Sequence, residues 1–225
     1  MICGLNSSGQ LGEKSNNESE GCQIISPPCK SHLDISALSS YSIYSNHAVW
    51  VTLDGKAYAI GDNSDKRING SLPATKLTKE TEIRITDSDG VQCKIISAVC
   101  GNLYTLYLVS QSNGANQLAY VCGNTNNGSP LFVSINGREP ISLFGGYSTA
   151  AAIDADGGII PITSSLFTSS LKVKSIFLPD GKKAVNIAWG SNKLGELLLN
   201  SFGKENIYVP IETTIVKGAS FCIAS

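Results

Sequence analysis

The feature that most constrains this chain is a hairpin written more than once. In HAVWVTLDGKAYAIGDN, Val49, Val51 and Leu53 alternate with Trp50 and Thr52, and Asp54-Gly55 then reverses the chain into Lys56 through Ile60. Apolar alternation of period two on both sides of Asp-Gly predicts two antiparallel strands joined by a type I′ turn, with positive φ at both central residues. The same build recurs in TLYLVSQSNGANQLAYVCG around Asn113-Gly114, in TAAAIDADGGIIPI around Asp156-Gly157 and in GELLLNSFGKENIYV around Phe202-Gly203. Short apolar runs ending in a turn accompany these hairpins: IISAVCGN, PISLFGGY, AVNIAWGS and TTIVKGAS. With Gly101, Gly146, Gly190 and Gly218 as markers the intervals are 45, 44 and 28 residues, and Tyr44 stands 57 residues ahead of Gly101. Constant strand content at irregular spacing means that loops vary while a β unit persists. Self-similarity in this range belongs to solenoids and propellers, and units of about four short strands favour the propeller.

Composition narrows the function more than the fold. Hydrophobic residues make up 42% of the 225, enough for a substantial core, whereas charged residues are only 16%. Soluble domains usually carry about 25% charge, so this surface is polar through Ser, Asn and Thr. A net charge of -1 lacks the basic footprint of a nucleic-acid binder. No run of about 18 apolar residues is present, so no transmembrane helix and no membrane role are expected. The N-terminus shows no basic stretch followed by an apolar core, so no signal peptide is expected. Seven cysteines are an odd set, and Cys3, Cys100, Cys122 and Cys222 sit in apolar runs. They read as small buried thiols of a reducing compartment, which places the chain inside the cell, in cytoplasm or nucleus.

Catalytic and metal constellations are hard to assemble from these residues. With only His32 and His47, a Ser/His/Asp or Cys/His arrangement has few members to draw on. Cys22, Cys29 and His32 have no second pair at zinc spacing. DSDG at 87–90 and DADGG at 154–158 lack the later ligands of a calcium loop and read as turns. Lys76, Lys79 and Arg84, balanced by Glu80 and Glu82, read as a solvated loop. No catalytic residue, cofactor or metal site is therefore assigned. The remaining candidate positions are turn glycines, where a strand enters or leaves a β unit and a Cβ would clash: Gly4, Gly9, Gly12, Gly55, Gly61, Gly101, Gly123, Gly128, Gly146, Gly157, Gly190 and Gly218.

The opening CGLNSSGQLG resembles the Gly-x-Asn-x-x-Gly-Gln-Leu-Gly signature of the regulator of chromosome condensation repeat family, and NHAVWVTLDGKAYAIGDN resembles that family's hairpin. Aligned on Gly4, Gly61 and Gly123 come into register; Asn63 then matches Asn6, Gly128 matches Gly9 and Ile68 matches Leu11. The signature fades after the Asp156-Gly157 hairpin, and the family's His before the strand appears only as His47. The resemblance implies an all-β, seven-bladed β-propeller. Seven units of the observed length exceed 225 residues, so 1–225 is expected to form a partial propeller of about four blades. Its ring is expected to be completed by further sequence or by self-association, or else to be a degenerate product. Long variable loops at 13–32 and 62–90 would decorate one face, with Tyr41, Tyr44, Tyr104, Phe132 and Tyr147 as candidate anchors or as plain packing. The expected function is a non-enzymatic scaffold for a protein partner. The alternatives implied by the resemblance are guanine-nucleotide exchange on a Ran-like small GTPase, or the regulatory propeller of a larger signalling or ubiquitin-ligase protein.

Overall fold

A computed structural model of the chain describes residues 37–44, 46–122, 126–133, 135, 138–146, 149–163 and 183–184. Three of the predicted hairpins lie in three antiparallel meanders, two of them as the central pair of a four-stranded sheet. The first sheet runs β1 (Leu38–Tyr44), β2 (His47–Thr52), β3 (Ala57–Asp62) and β4 (Lys76–Ile83). The second runs β5 (Lys94–Cys100), β6 (Tyr104–Ser110), β7 (Asn116–Cys122) and β8 (Leu131–Val133). The third holds β9 (Pro140–Gly145), β10 (Thr149–Asp154) and β11 (Ile159–Thr163). Tyr41 pairs with Trp50 in the first sheet and Ala98 with Tyr107 in the second, so the first two sheets repeat each other at the 57-residue interval read from the sequence.

The sheets stack face to face, which explains why the central strands are apolar on both sides. Every residue of β2 is buried. Val49 and Val51 enter one core with Ile95, Ala98, Tyr107, Val109, Ala119 and Val121 of the second sheet. Leu106, Leu108, Leu118 and Tyr120 point the other way, into a core shared with Ala150, Ala152, Ile160 and Ile162 of the third. The opposite face of the first sheet gathers Ala48, Trp50 and Ile60, flanked by Leu38, Tyr41, Ile43 and Tyr58. There Trp50 lies between Tyr41 and Tyr58, each ring centroid 6.3 Å away.

β5 is the edge strand of its sheet, and an edge leaves backbone donors without a ladder partner. Serines of β1 fill that role. Ala98 N–H donates to Ser40 Oγ at 3.2 Å and Cys100 N–H donates to Ser42 Oγ at 2.9 Å. Ser39 Oγ donates to the Ile96 carbonyl at 3.1 Å. Side-chain hydroxyls thus join the first strands of neighbouring sheets where no backbone ladder does. Cys93 and Cys100 are free and buried, and burial pushes the Cys100 thiol up to about 12.

Two expectations need correction. The Asp54-Gly55 reversal is not type I′, because of its two central residues only Gly55 has positive φ, at 87°. Gly55 N–H donates to the Thr52 carbonyl and Thr52 N–H to the Lys56 carbonyl, both at 2.9 Å. This is a three-residue loop whose last member is left-handed, a geometry that also suits strand twist. The same pair of bonds closes Gln111–Ala115 and Asp154–Gly158, with Gly114 and Gly157 in the left-handed position. The second correction concerns 62–90, which is not one loop. Its residues 76–83 form β4, antiparallel to β3 from Asp62↔Lys76 to Ala57↔Ile83. The charges that suggested a solvated loop sit on an outer strand, where pairing with β3 outweighs weak strand propensity and Lys76 and Lys79 stay in water.

Candidate interaction face

Because the sheets repeat in phase, β2, β6 and β10 all begin at one end of the stack, here the upper end, and the three equivalent turns lie at the lower end. The loop 63–75 leaves β3 at the upper end and is built around one side chain. Asn63, fully buried, accepts from Ile68 N–H at 2.9 Å and Asn69 N–H at 3.3 Å through Oδ1. Its Nδ2 donates to the carbonyls of Asn69 at 3.2 Å and Pro73 at 2.9 Å. One amide therefore satisfies four backbone groups that a loop would otherwise bury without partners. Asn69 repeats the device on a smaller scale, accepting from Ser71 N–H and donating to the Arg84 carbonyl.

The resulting coil needs left-handed backbone. Gly61, with φ 107°, passes so close to the preceding turn that a Cβ there would lie 2.4 Å from the Asn46 carbonyl oxygen. Five residues on, Lys66 adopts φ 63°. At the matching position of the second sheet stands Gly128, with φ 73°. Gly70 N–H donates to the Gly128 carbonyl at 2.7 Å, so the upper loops of the two sheets touch directly.

Arg67 ties the loop to its neighbours although it is 6% exposed. Nε meets Asp65 at 2.7 Å, Nη2 meets Asp62 at 3.4 Å, and Nη1 donates to the Asn102 carbonyl at 2.7 Å. Thr105 Oγ1 donates to the Arg67 carbonyl at 2.9 Å and lies 2.9 Å from His47 Nε2. With the hydroxyl proton directed at Arg67, the His47 ring is the donor to Thr105 and carries its proton on Nε2. His47 is fully buried. Burial, reinforced by the Arg67 charge, lowers its pKa from 6.5 to about 3. Burial alone would raise Asp62, but bonds from Ser64 and the Arg67 charge hold it below the ordinary carboxylate value. Tyr107 Oη donates to the Ile68 carbonyl at 2.9 Å, completing the attachment of the loop to the second sheet.

The buried neutral imidazole does not reach solvent, and the partly exposed Asp62 carboxylate is engaged by Arg67 and Ser64, so both hold structure together. Among the described residues no group of three His, Cys, Asp or Glu side chains is placed to hold a metal. The exposed residues of these loops are uncharged, Ser64, Ser71, Pro73, Ala74, Thr75 and Asn127 beside Leu103 at 38%, with Asp62, Asp65 and Lys66 half-buried among them.

Of the glycines singled out in the sequence, Gly55, Gly61, Gly128 and Gly157 have positive φ. Gly101 and Gly146 do not; they matter through contact with Tyr104. A Cβ on Gly101 would run into the Tyr104 ring, and Tyr104 Oη donates to the Gly146 carbonyl at 2.9 Å. Gly4, Gly9, Gly12, Gly123, Gly190 and Gly218 lie outside the described residues, as do the Phe202-Gly203 hairpin, the 13–32 stretch and Tyr147. Among the candidate anchors, Tyr104 is buried and stacks on Tyr120 at 5.5 Å. Tyr41 stacks on Trp50, while Tyr44 and Phe132 pack against the core between the first two sheets. Sequence reasoning missed Asn63 and Arg67 as the organisers of the face. The recurrence of Asn two residues after Gly at 4–6 and 61–63 was the available signal for the first; nothing marked the second.

No protein-family model and no curated protein matches the sequence. Solved structures do match. Human WBSCR16 superposes with a TM-score of 0.58 at 15% identity, over 83% of this chain and 50% of that one. The chain has the fold of a propeller of the regulator of chromosome condensation type. It spans about half the length of that solved structure. Yeast RCC1 (Prp20), solved bound to Kap60, gives a TM-score of 0.48 at 13% identity, over 69% of this chain and 40% of that one. A second structure, of Prp20p from Saccharomyces cerevisiae, gives 0.46 at 14% identity, over 68% and 40%.

Proposed function

We propose that this propeller arc is a non-enzymatic scaffold that binds a protein partner through its upper face. The observation that supports this most is the division of labour in the 63–75 loop. Its polar groups are satisfied inward, on Asn63, Arg67 and the neighbouring sheet, and its exposed side is short, neutral side chains around Leu103. A loop already fixed in shape loses little conformational entropy when it binds, which favours recognition over chemistry. The fully buried, deprotonated His47 serves no acid–base step in this reading.

The test is a pull-down with the full chain compared across three proteins: wild type, Ser71→Arg with Leu103→Glu on the upper face, and Leu53→Glu at a lower-face turn, where Leu53 is 63% exposed. A stoichiometric partner kept by wild type and Leu53→Glu but lost by the upper-face variant is expected. Equal retention by all three, or loss confined to Leu53→Glu, overturns the assignment of the face. A nucleotide-release assay on a purified Ran-like GTPase runs alongside. Acceleration there would replace scaffolding by exchange.

A further inference from the structure

At the lower end, two of the three turns are sealed onto the β unit that follows by one device. Ile95 N–H donates to the Gly55 carbonyl at 2.9 Å, and Ala184 N–H donates to the Gly157 carbonyl at 3.0 Å. The lysine before each donor covers the glycine: a Cβ on Gly55 would strike the Lys94 side chain, and one on Gly157 would strike Lys183. The middle turn lacks this seal. A Cβ on Gly114 would meet nothing within 4 Å, and the Gly114 carbonyl takes no backbone bond among the described residues. The cause is legible in the chain. Lys94-Ile95, Glu139-Pro140 and Lys183-Ala184 stand seven and six residues before Gly101, Gly146 and Gly190, and Ile95 and Pro140 both precede the bulge of their strand. Pro140 has no N–H to give the Gly114 carbonyl, and Glu139 is exposed instead of lying over the turn.

A cleft of about 520 Å³ opens there, between the 111–115 turn and Glu139-Pro140. Its floor is apolar, with Val133, Ile135 and Pro140 buried. Four carboxamides line it, and each is half spent inside the protein. Gln111 Nε2 donates to Gln117 Oε1, Asn116 Nδ2 donates to the Pro140 carbonyl at 3.4 Å, and Asn113 Oδ1 accepts from Ala115 N–H at 2.9 Å. Among the described residues this leaves Gln111 Oε1 and Asn116 Oδ1 as acceptors and Gln117 Nε2 and Asn113 Nδ2 as donors. A main chain offers the complementary mixture of N–H and carbonyl groups. Arg138, which also lines the cleft, is held by Asp154 at 3.2 Å and Asp156 at 3.1 Å. The Glu139 carboxylate has no ion pair among the described residues, so the cleft suits a cation better than an anion.

We propose that this cleft binds an extended segment of a separate partner protein in which a lysine is followed by an aliphatic residue, the pair that seals the other two turns from within the chain. The aliphatic residue donates its N–H to the Gly114 carbonyl and lays its side chain on Val133, Ile135 and Pro140. The lysine stem crosses Gly114 and brings its ammonium to Glu139. The four carboxamides take the flanking main chain. The cleft lies at the end of the stack opposite the upper face, so it is a second site.

The experiment is an NMR titration of the 15N-labelled full chain with acetyl-Ser-Lys-Ile-Ile-Ser-amide, which copies residues 93–97 with serine for the cysteine. A saturable shift of the Gly114 amide and of the Asn116 and Gln117 side-chain amides is expected, with Gly55 and Gly157 unmoved. The same peptide with glutamate for lysine should bind at least about fivefold more weakly, and Glu139→Gln should weaken the lysine peptide about threefold. Glu139→Lys combined with Pro140→Ile writes the sealing pair into the middle junction and should abolish binding. The Tyr107 amide, buried between the first two sheets, reports whether each variant is folded. No saturable shift at Gly114, equal shifts at Gly55 and Gly157, equal binding of the two peptides, or binding kept by the double variant each overturns the proposal. Saturation by inorganic phosphate and not by the peptide overturns the ligand class. Self-association of the chain that the double variant abolishes assigns the segment to a second copy and overturns the separate partner. If the double variant does not fold, the two peptides on the wild-type chain decide.

Discussion

Among the described residues, His47 alone should make acid weaken this protein between pH 7 and pH 5. His47 is fully buried with its ring spent on Thr105, and its pKa falls from 6.5 to about 3. For a base whose folded pKa is depressed, the unfolded chain binds the proton first, so stability is full above the unfolded value. It is then lost as pH falls from there toward the folded value. Over pH 7 to 5 the unfolded imidazole gains about 0.7 of a proton that the folded chain refuses, which costs about 2 kcal/mol. With a urea slope of about 2 kcal/mol/M, the midpoint moves down by about 1 M. The described carboxylates held low, Asp54, Asp62 and Asp87, titrate from their ordinary value of 3.8 downward and leave this window clear. Urea melts of wild type and His47→Gln at the two pH values make the check, since glutamine keeps a donor for Thr105 and cannot be protonated. The variant is less stable at pH 7 and loses less than about 0.5 kcal/mol on acidification. Parallel slopes in the two proteins would refute the reasoning, because the proton uptake would then belong elsewhere.

Two glycines in left-handed backbone should respond differently to alanine. Gly114, φ 83°, has nothing within 4 Å of the position a Cβ would take, so Gly114→Ala costs only the backbone term, about 1–2 kcal/mol. Gly61→Ala adds contact at 2.4 Å with backbone that cannot move aside, and its urea midpoint should fall by at least twice as much as that of Gly114→Ala. Asn63→Ala leaves two N–H groups and two carbonyls of the upper loop without partners. Its cost in the same melts is about 3–5 kcal/mol, against less than about 0.5 kcal/mol for the exposed Ser64→Ala.

The strands were legible because burial on both faces left its mark as period-two apolar runs: Val49 and Val51 to one side, Ala48 and Trp50 to the other. The 57-residue spacing of the first two units was legible for the same reason. The turn type was not, since Asp-Gly suits both the mirror-image turn and the loop that ends in a left-handed glycine; the choice depends on how many residues of each strand pair. β4 was hidden because an outer strand with one wet side carries Lys and Glu where a central strand carries Val. The face built on Asn63 and Arg67 was hidden more deeply. An Asn in a turn and an Arg among acids look solvated in one dimension, and only folding the loop back on the second sheet removes them from water.

Sequence alone determined that this chain is a series of stacked β units of propeller type, because alternating apolar residues and glycine turns leave few other ways to bury both faces of short strands. The tertiary structure decided which polar groups hold neighbouring units together and which remain exposed. Burial is a property of where distant segments meet, and Thr105 with His47, or Tyr107 with Ile68, meet only when one sheet is laid against the next.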